Sequence, residues 1–121
     1  MTAPDRITIE EVKRKMNAGE PIVFIDTRNS RDWNASDVKI PGALRIHYSE
    51  LLKHINELPR DRLIVTYCTW HNEASSARAA EILIESGFIK VYALKGGFDA
   101  WVQAGYPLEP KLKQNVNVTG T

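Results

Sequence analysis

The sequence contains one cysteine in 121 residues. An intramolecular disulfide is therefore excluded, and a lone thiol sits most easily in a reducing compartment. Long apolar runs are lacking too: Ile22-Val23-Phe24-Ile25 and Leu63-Ile64-Val65 are far too short to span a bilayer. Nor does charge of one sign dominate. Sixteen Lys and Arg face fifteen Asp and Glu, for a formal net charge of +1, and no basic run marks a nucleic-acid surface. His47 and His54 show no metal-ligand spacing with each other or with Cys68, so no metal is expected. Residues 1–6 have neither the apolar stretch nor the cleavage pattern of a leader. A cytoplasmic setting is expected, in which the N-x-[ST] triplets at Asn34 and Asn117 mean little.

What is present suits one small globular domain. At 43% hydrophobic and 26% charged residues the composition is ordinary, and the length allows a core without staples. Thr8-Ile9-Glu10-Glu11 reads as a capping box opening a short helix through Val12 and Met16, closed by Gly19. Ile7 begins a short strand just before it. Ile22 to Ile25 is continuously apolar, which suits a strand covered on both faces. The polar segment 29–37 holds a short helix around Trp33. Ile40-Pro41-Gly42-Ala43 is a turn leading to a strand at Leu44-Arg45-Ile46. Ser49 caps a helix over residues 50–57, with Leu51, Leu52 and Ile55 at helical spacing and Pro59 stopping it. Leu63 to Tyr67 is the clearest strand. A helix over residues 73–86 follows, its Ala77, Ala80 and Ile84 forming a mostly small stripe that lies close to a sheet. Val91 to Leu94 is a further strand, and Gly96-Gly97 introduces a last helix through Trp101. Strands alternate with helices, so the sheet is expected to be largely parallel.

The order strand, Cys68, polar loop, helix carries chemical meaning. Ligand sites in open α/β sheets lie beyond the carboxyl ends of the strands. A cysteine there faces the first turn of the next helix, whose N–H groups have no intrahelical partner and whose end carries partial positive charge. Both features favour thiolate over thiol. Periodicity alone equally admits a plain alternative, a small buried apolar side chain at a strand end.

Four separated segments resemble the rhodanese, or thiosulfate sulfurtransferase, family. Asp26-Thr27-Arg28 with Asp32-Trp33 resembles its D-x-R and acidic-aromatic pair, and Ile40-Pro41-Gly42-Ala43 its I-P-G-A turn. Tyr67-Cys68 with Ala79-Ala80 resembles its active-site segment. Leu94-Lys95-Gly96-Gly97-Phe98-Asp99-Ala100-Trp101, ending at Ala104-Gly105-Tyr106-Pro107, resembles its C-terminal signature. The resemblance implies an α/β, rhodanese-like three-layer fold, with a mostly parallel central sheet flanked by helices. It would occupy residues 1–110, with 111–121 as a loosely held C-terminal tail. It further implies that Cys68 takes a sulfane sulfur as a persulfide and passes it to a thiol or cyanide acceptor. The backbone N–H groups of Thr69, Trp70, His71, Asn72, Glu73 and Ala74 would cradle the sulfur. No cofactor is required, because covalent catalysis splits the transfer in two. The implied partners are a small sulfane-sulfur donor and its acceptor, or a protein persulfide, with no nucleic acid and no membrane.

The loop departs from the family's C-x-x-G-x-R-S pattern: the fifth position after Cys68 is Glu73, and no glycine lies between them. Glu73 either repels an anionic donor such as thiosulfate or points outward and complements the helix N-terminus. His71 either moves a proton or is a solvated loop residue. Trp70 either lids the pocket or packs. Arg78, about one turn into the helix, can lean back toward the loop and supply the missing cation. Asp26 and Arg28 either orient the loop or pair with each other across a turn, and Trp33 and Trp101 are expected to be core or structural. A phosphatase or arsenate reductase would need arginine at the sixth position, where Ala74 stands. A module of this fold used only for protein binding is the remaining alternative, and the retained cysteine weighs against it.

Overall fold

The computed structural model describes residues 5–69 and 74–111. In chain order they form β1 (Arg6–Ile7), α1 (Ile9–Asn17), β2 (Ile22–Asp26), α2 (Ser30–Asn34), β3 (Val38–Lys39) and β4 (Leu44–Arg45). A 3-10 helix (Tyr48–Glu57) then leads to β5 (Leu63–Tyr67), α3 (Ala74–Glu85), β6 (Val91–Leu94), α4 (Gly97–Gln103) and β7 (Glu109–Pro110). Five strands make one sheet in the order β1-β6-β5-β2-β4, and its pairings are parallel, as the strand–helix alternation requires.

The period-two alternation of a strand sorts its side chains between two cores. From β5, Leu63, Val65 and Tyr67 pack with Val12 of α1 and Phe98 and Trp101 of α4. Ile64 faces the other way, toward Leu51 and Leu58 and toward Ala79, Ala80 and Leu83 of α3. From β2, Phe24 joins the first cluster and Ile25 the second. A sheet covered on both faces follows, which is why these strands read as continuous apolar runs.

The capping box is formed in both directions: the Glu11 N–H donates to Thr8 Oγ1 at 3.1 Å, and the Thr8 N–H donates to Glu11 Oε1 at 3.2 Å. The Thr8 N–H first, and then the Thr8 hydroxyl, which also donates to Oε1 at 3.2 Å, hold the Glu11 carboxyl below its usual range. Gly19 closes α1 as expected, its N–H donating to the Met16 carbonyl at 3.0 Å.

Several expectations need correcting. The buried residues of α3 are Ser76, Ala79, Ala80, Ile82 and Leu83, whereas Ala77 is half-buried and Ile84 is exposed. Both sets keep helical spacing, and the serine within the true stripe disguises its phase. The segment after Ser49 winds as a 3-10 helix, and its cap is His47, whose Nδ1 accepts from the Ser49 N–H at 3.2 Å. Leu51 is its one buried side chain while Leu52 is exposed, so a wide apolar face is not what shapes it. Two short strands, β3 and β7, pair antiparallel as a second sheet that the apolar pattern does not announce. The fold also takes in Lys111, expected in the loose tail. It is buried, its N–H donates to the Asp37 carbonyl at 2.9 Å, and its Nζ stands 4.2 Å from the Trp33 ring centroid and donates to the Trp33 carbonyl. Of the two roles expected for Trp33, core or structural, it has the structural one: half-buried, it stacks with the guanidinium groups of Arg28 at 5.2 Å and Arg45 at 5.0 Å. Trp101 is fully buried, as expected. No described helix is long and apolar enough to cross a membrane.

Candidate active site

The ends of β5 and β2 and the start of α4 meet around Cys68. The Tyr67 carbonyl at the end of β5 accepts from both the N–H and the hydroxyl of Thr27, at 2.8 and 2.9 Å, which ties β5 to the end of β2. The carbonyls of Cys68 and Thr69 accept from the N–H groups of Phe98 and Asp99, each at 2.7 Å. These donors are in the first turn of α4, where N–H groups lack intrahelical partners, so helix and loop satisfy each other. Gly97 makes the approach possible. Its φ is +63°, and a Cβ there would lie 2.6 Å from the Cys68 carbonyl oxygen and 3.0 Å from the Thr69 carbonyl. Only hydrogen fits. The Gly-Gly-Phe-Asp run is thus a mould for the base of the cysteine loop.

Cys68 is only 5% exposed yet belongs to neither apolar cluster. Its Sγ lies 3.6 Å from Oγ of Ser76, which is fully buried in the first turn of α3. The Ser76 carbonyl accepts from Thr66 Oγ1 at 2.8 Å, fixing that turn to β5. A thiolate can only accept, so Ser76 would then donate its hydroxyl hydrogen to the sulfur. Ser76 is absent from the residues that the sequence singles out. The available signal is a hydroxyl within the small-residue face of α3, eight positions after the cysteine.

The other sheet face carries a closed ionic network. Asp26 and Arg28 are essentially unexposed and pair at 2.6 Å, with Arg28 Nε 3.0 Å from both carboxylate oxygens. The Arg28 N–H also donates to Oδ1 and the Tyr67 hydroxyl to Oδ2, at 3.1 and 2.7 Å. Burial first, then the Asp26 charge, pushes the Tyr67 hydroxyl far above its ordinary range, so it remains a donor. The Arg28 guanidinium is completed by the Val38 carbonyl at 3.0 Å and the Phe98 ring at 4.3 Å. This is the ion pair bracing a turn, one of the two roles expected for these residues. It joins β2, β3, β5 and α4 beneath the loop.

Asp32, noted in the sequence only for its pairing with Trp33, touches the site: its Oδ2 accepts from Thr69 Oγ1 at 2.5 Å. Arg78 does not turn to the loop. It is exposed and paired with Glu81, Nη1 to Oε1 at 2.6 Å, toward the C-terminal side of α3. Ala74 is the exposed first residue of α3. Trp70, His71, Asn72 and Glu73 lie outside the described residues. Size does not mark this site: a cavity of about 510 Å³, lined by Arg6, Lys15, Arg62, Lys90 and Tyr92 among others, opens at the opposite ends of the strands.

Known proteins are similar to this chain in sequence and in fold. A thiosulfate sulfurtransferase GlpE of Glaesserella parasuis is 30% identical over 95 residues, 78% of this chain and 84% of that protein. A sulfurtransferase of Allochromatium vinosum is 28% identical, covering 86% of this chain and 94% of that protein. Among solved structures, the rhodanese-like domain of the Anabaena sp. Alr3790 protein superposes with a TM-score of 0.73 at 27% identity, covering 93% of this chain and 83% of that one. The family model for the rhodanese-like domain matches residues 8–104, four fifths of the sequence. With its parallel sheet, its single cysteine at the end of β5 and sulfurtransferases among its relatives, the chain belongs to the rhodanese-like family.

Proposed function

We propose that the protein is a sulfurtransferase that carries a sulfane sulfur as a persulfide on Cys68. The observation that supports this best is the seating of Cys68: outside both apolar clusters, beside a buried hydroxyl, on a loop base gripped by the first amides of α4. In the first step the Cys68 thiolate attacks the outer sulfur of the donor. The donor's S–S bond breaks, and its electron pair leaves with the remaining group, sulfite when the donor is thiosulfate. In the second step a thiolate or cyanide attacks the outer sulfur of Cys68–S–S⁻, and the Cys68 thiolate is regenerated. The amides of Thr69 through Ala74 are the proposed cradle, with Asp26 and Arg28 supporting from below. The sulfur supplies the covalent chemistry, with no metal or cofactor. The proposed setting is cytoplasmic, and the proposed domain is the folded chain through residue 110, with Lys111 as its anchor.

Glu73 makes thiosulfate, a dianion, the disfavoured donor, and a persulfide of lower negative charge or a protein persulfide the favoured one. The 5% exposure of Cys68 supports a second reading, a binding module that performs no transfer. Phosphatase chemistry finds no support, because Ala74 offers no fork for a tetrahedral oxyanion. Intact mass after incubation with an organic persulfide or with thiosulfate separates the readings. Gain of one sulfur atom, absent in Cys68→Ser, is expected, and Glu73→Arg should speed loading from thiosulfate. No gain from either donor would leave the binding module.

A further inference from the structure

We propose that Asp32 is a positioning residue for Cys68, acting through Thr69 and resting on the transfer reading given above. Thr69 immediately follows the cysteine. Two groups grip it: its carbonyl accepts from the Asp99 N–H at 2.7 Å, and its hydroxyl donates to Asp32 Oδ2 at 2.5 Å. The first grip fixes where the chain passes. The second fixes the rotation of the peptide between Cys68 and the loop beyond, and so the direction in which the sulfur is presented. A hydrogen bond to an ionised carboxylate is about twice as strong as a neutral one, which suits a single contact to that role.

The carboxylate can hold Thr69 only if its own helix is fixed, and α2 is just five residues long. Its fixation comes from the flanks. Asn29 caps it, the side-chain oxygen accepting from the Asp32 N–H at 2.8 Å. Next along the chain, Trp33 is wedged among Arg28, Arg45 and Lys111. Lys111 also donates to the Trp33 carbonyl, and it lies beyond residue 104, where the family match ends. A contiguous line therefore runs from Lys111 through α2 to the residue after Cys68. The C-terminal anchor belongs to the scaffold of the site.

The test uses the full chain and two readouts on Cys68: the rate of sulfur loading from an organic persulfide, by intact mass, and the rate of alkylation by iodoacetamide. Asp32→Ala and Thr69→Val should each slow loading by roughly tenfold or more. They should also speed alkylation, since the thiol is only 5% exposed while the loop is held. The double variant should be no worse than either single, because both remove one contact. Asp32→Asn and Thr69→Ser, which keep an acceptor and a hydroxyl, should recover most of the loading rate. Lys111→Ala should slow loading in the wild type and add nothing in Asp32→Ala. Additive losses, or loading and alkylation rates that rise together or stay unchanged, would overturn the proposal. If the wild type takes up no sulfur, the transfer reading fails, and the alkylation rates alone judge Asp32: faster in Ala and Val, restored in Asn and Ser.

Discussion

Replacing Gly97 by alanine tests the claim that α4 is moulded to the cysteine loop. At φ +63° an L-residue costs about 1–2 kcal/mol. The new methyl would stand 2.6 Å from the Cys68 carbonyl oxygen, a contact with backbone that no flexible side chain can yield to. Relief requires the loop and α4 to part, at the expense of the 2.7 Å bonds from Phe98 and Asp99. Each such bond is worth about 0.5–1.5 kcal/mol. The total is about 2–5 kcal/mol, which at a slope of about 2 kcal/mol per M should lower the urea midpoint by about 1–2.5 M. Gly105 supplies the control. Its φ is +75°, but a Cβ added there would meet nothing within 4 Å, so Gly105→Ala bears the backbone cost alone. Sulfur loading on Cys68 should fall sharply in Gly97→Ala and hold in Gly105→Ala. Equal loss of stability in the two variants, with normal loading in both, would refute the reasoning.

Arg28→Leu should destabilise the fold by about 3–5 kcal/mol in urea denaturation, because Asp26 is left charged in a fully buried site. Adding Asp26→Leu should recover part of that loss, and an Arg28→Leu protein as stable as wild type would show that the pair braces nothing. The Tyr67 hydroxyl is shifted upward in the folded state, so above its unfolded pKa of about 10 the unfolded chain releases a proton that the fold retains. Stability present below about pH 10 should decline as pH rises beyond it, by about 1.4 kcal/mol per pH unit from this group. Comparing wild type with Tyr67→Phe across that window isolates the slope, and parallel curves would show that Tyr67 contributes nothing to it.

The fold is largely legible because its central strands are mostly apolar on both faces. Ile22 to Ile25 and Leu63 to Tyr67 have no polar face, and a strand without one must be covered twice. The capping box at Thr8 is equally plain, since both its bonds are local. What stays hidden depends on partners distant in sequence. The pairing of β3 with β7 joins residues 38–39 to 109–110, with no alternating pattern in either segment. Ser76 is a helix residue whose meaning comes from Cys68 across the turn. Asp32 reaches Thr69 over 37 positions. Arg78 departs from its expected place for a related reason: a side chain long enough to lean toward the loop also reaches Glu81, one turn along and oppositely charged. Cys68 and the Asp26–Arg28 pair stand out because motif and topology both put them where strands end.

The burial of Cys68 counts at first sight against transfer, but the geometry of a persulfide reverses that judgement. An S–S bond is about 2.05 Å long, so the proposed loading would place the reactive atom that far from the first sulfur, which would keep its seat beside Ser76. A cysteine fully in solvent would gain nothing from this extension and would present its persulfide to every passing thiol. One held at 5% exposure would offer chiefly the terminal sulfur. A floor that does not shift is then a requirement, and the buried pair of Asp26 and Arg28 with the amides of α4 provides it. A module that merely binds a partner would need the pair to brace its fold, but not the amides of α4 closed on the carbonyl of a thiol-bearing residue.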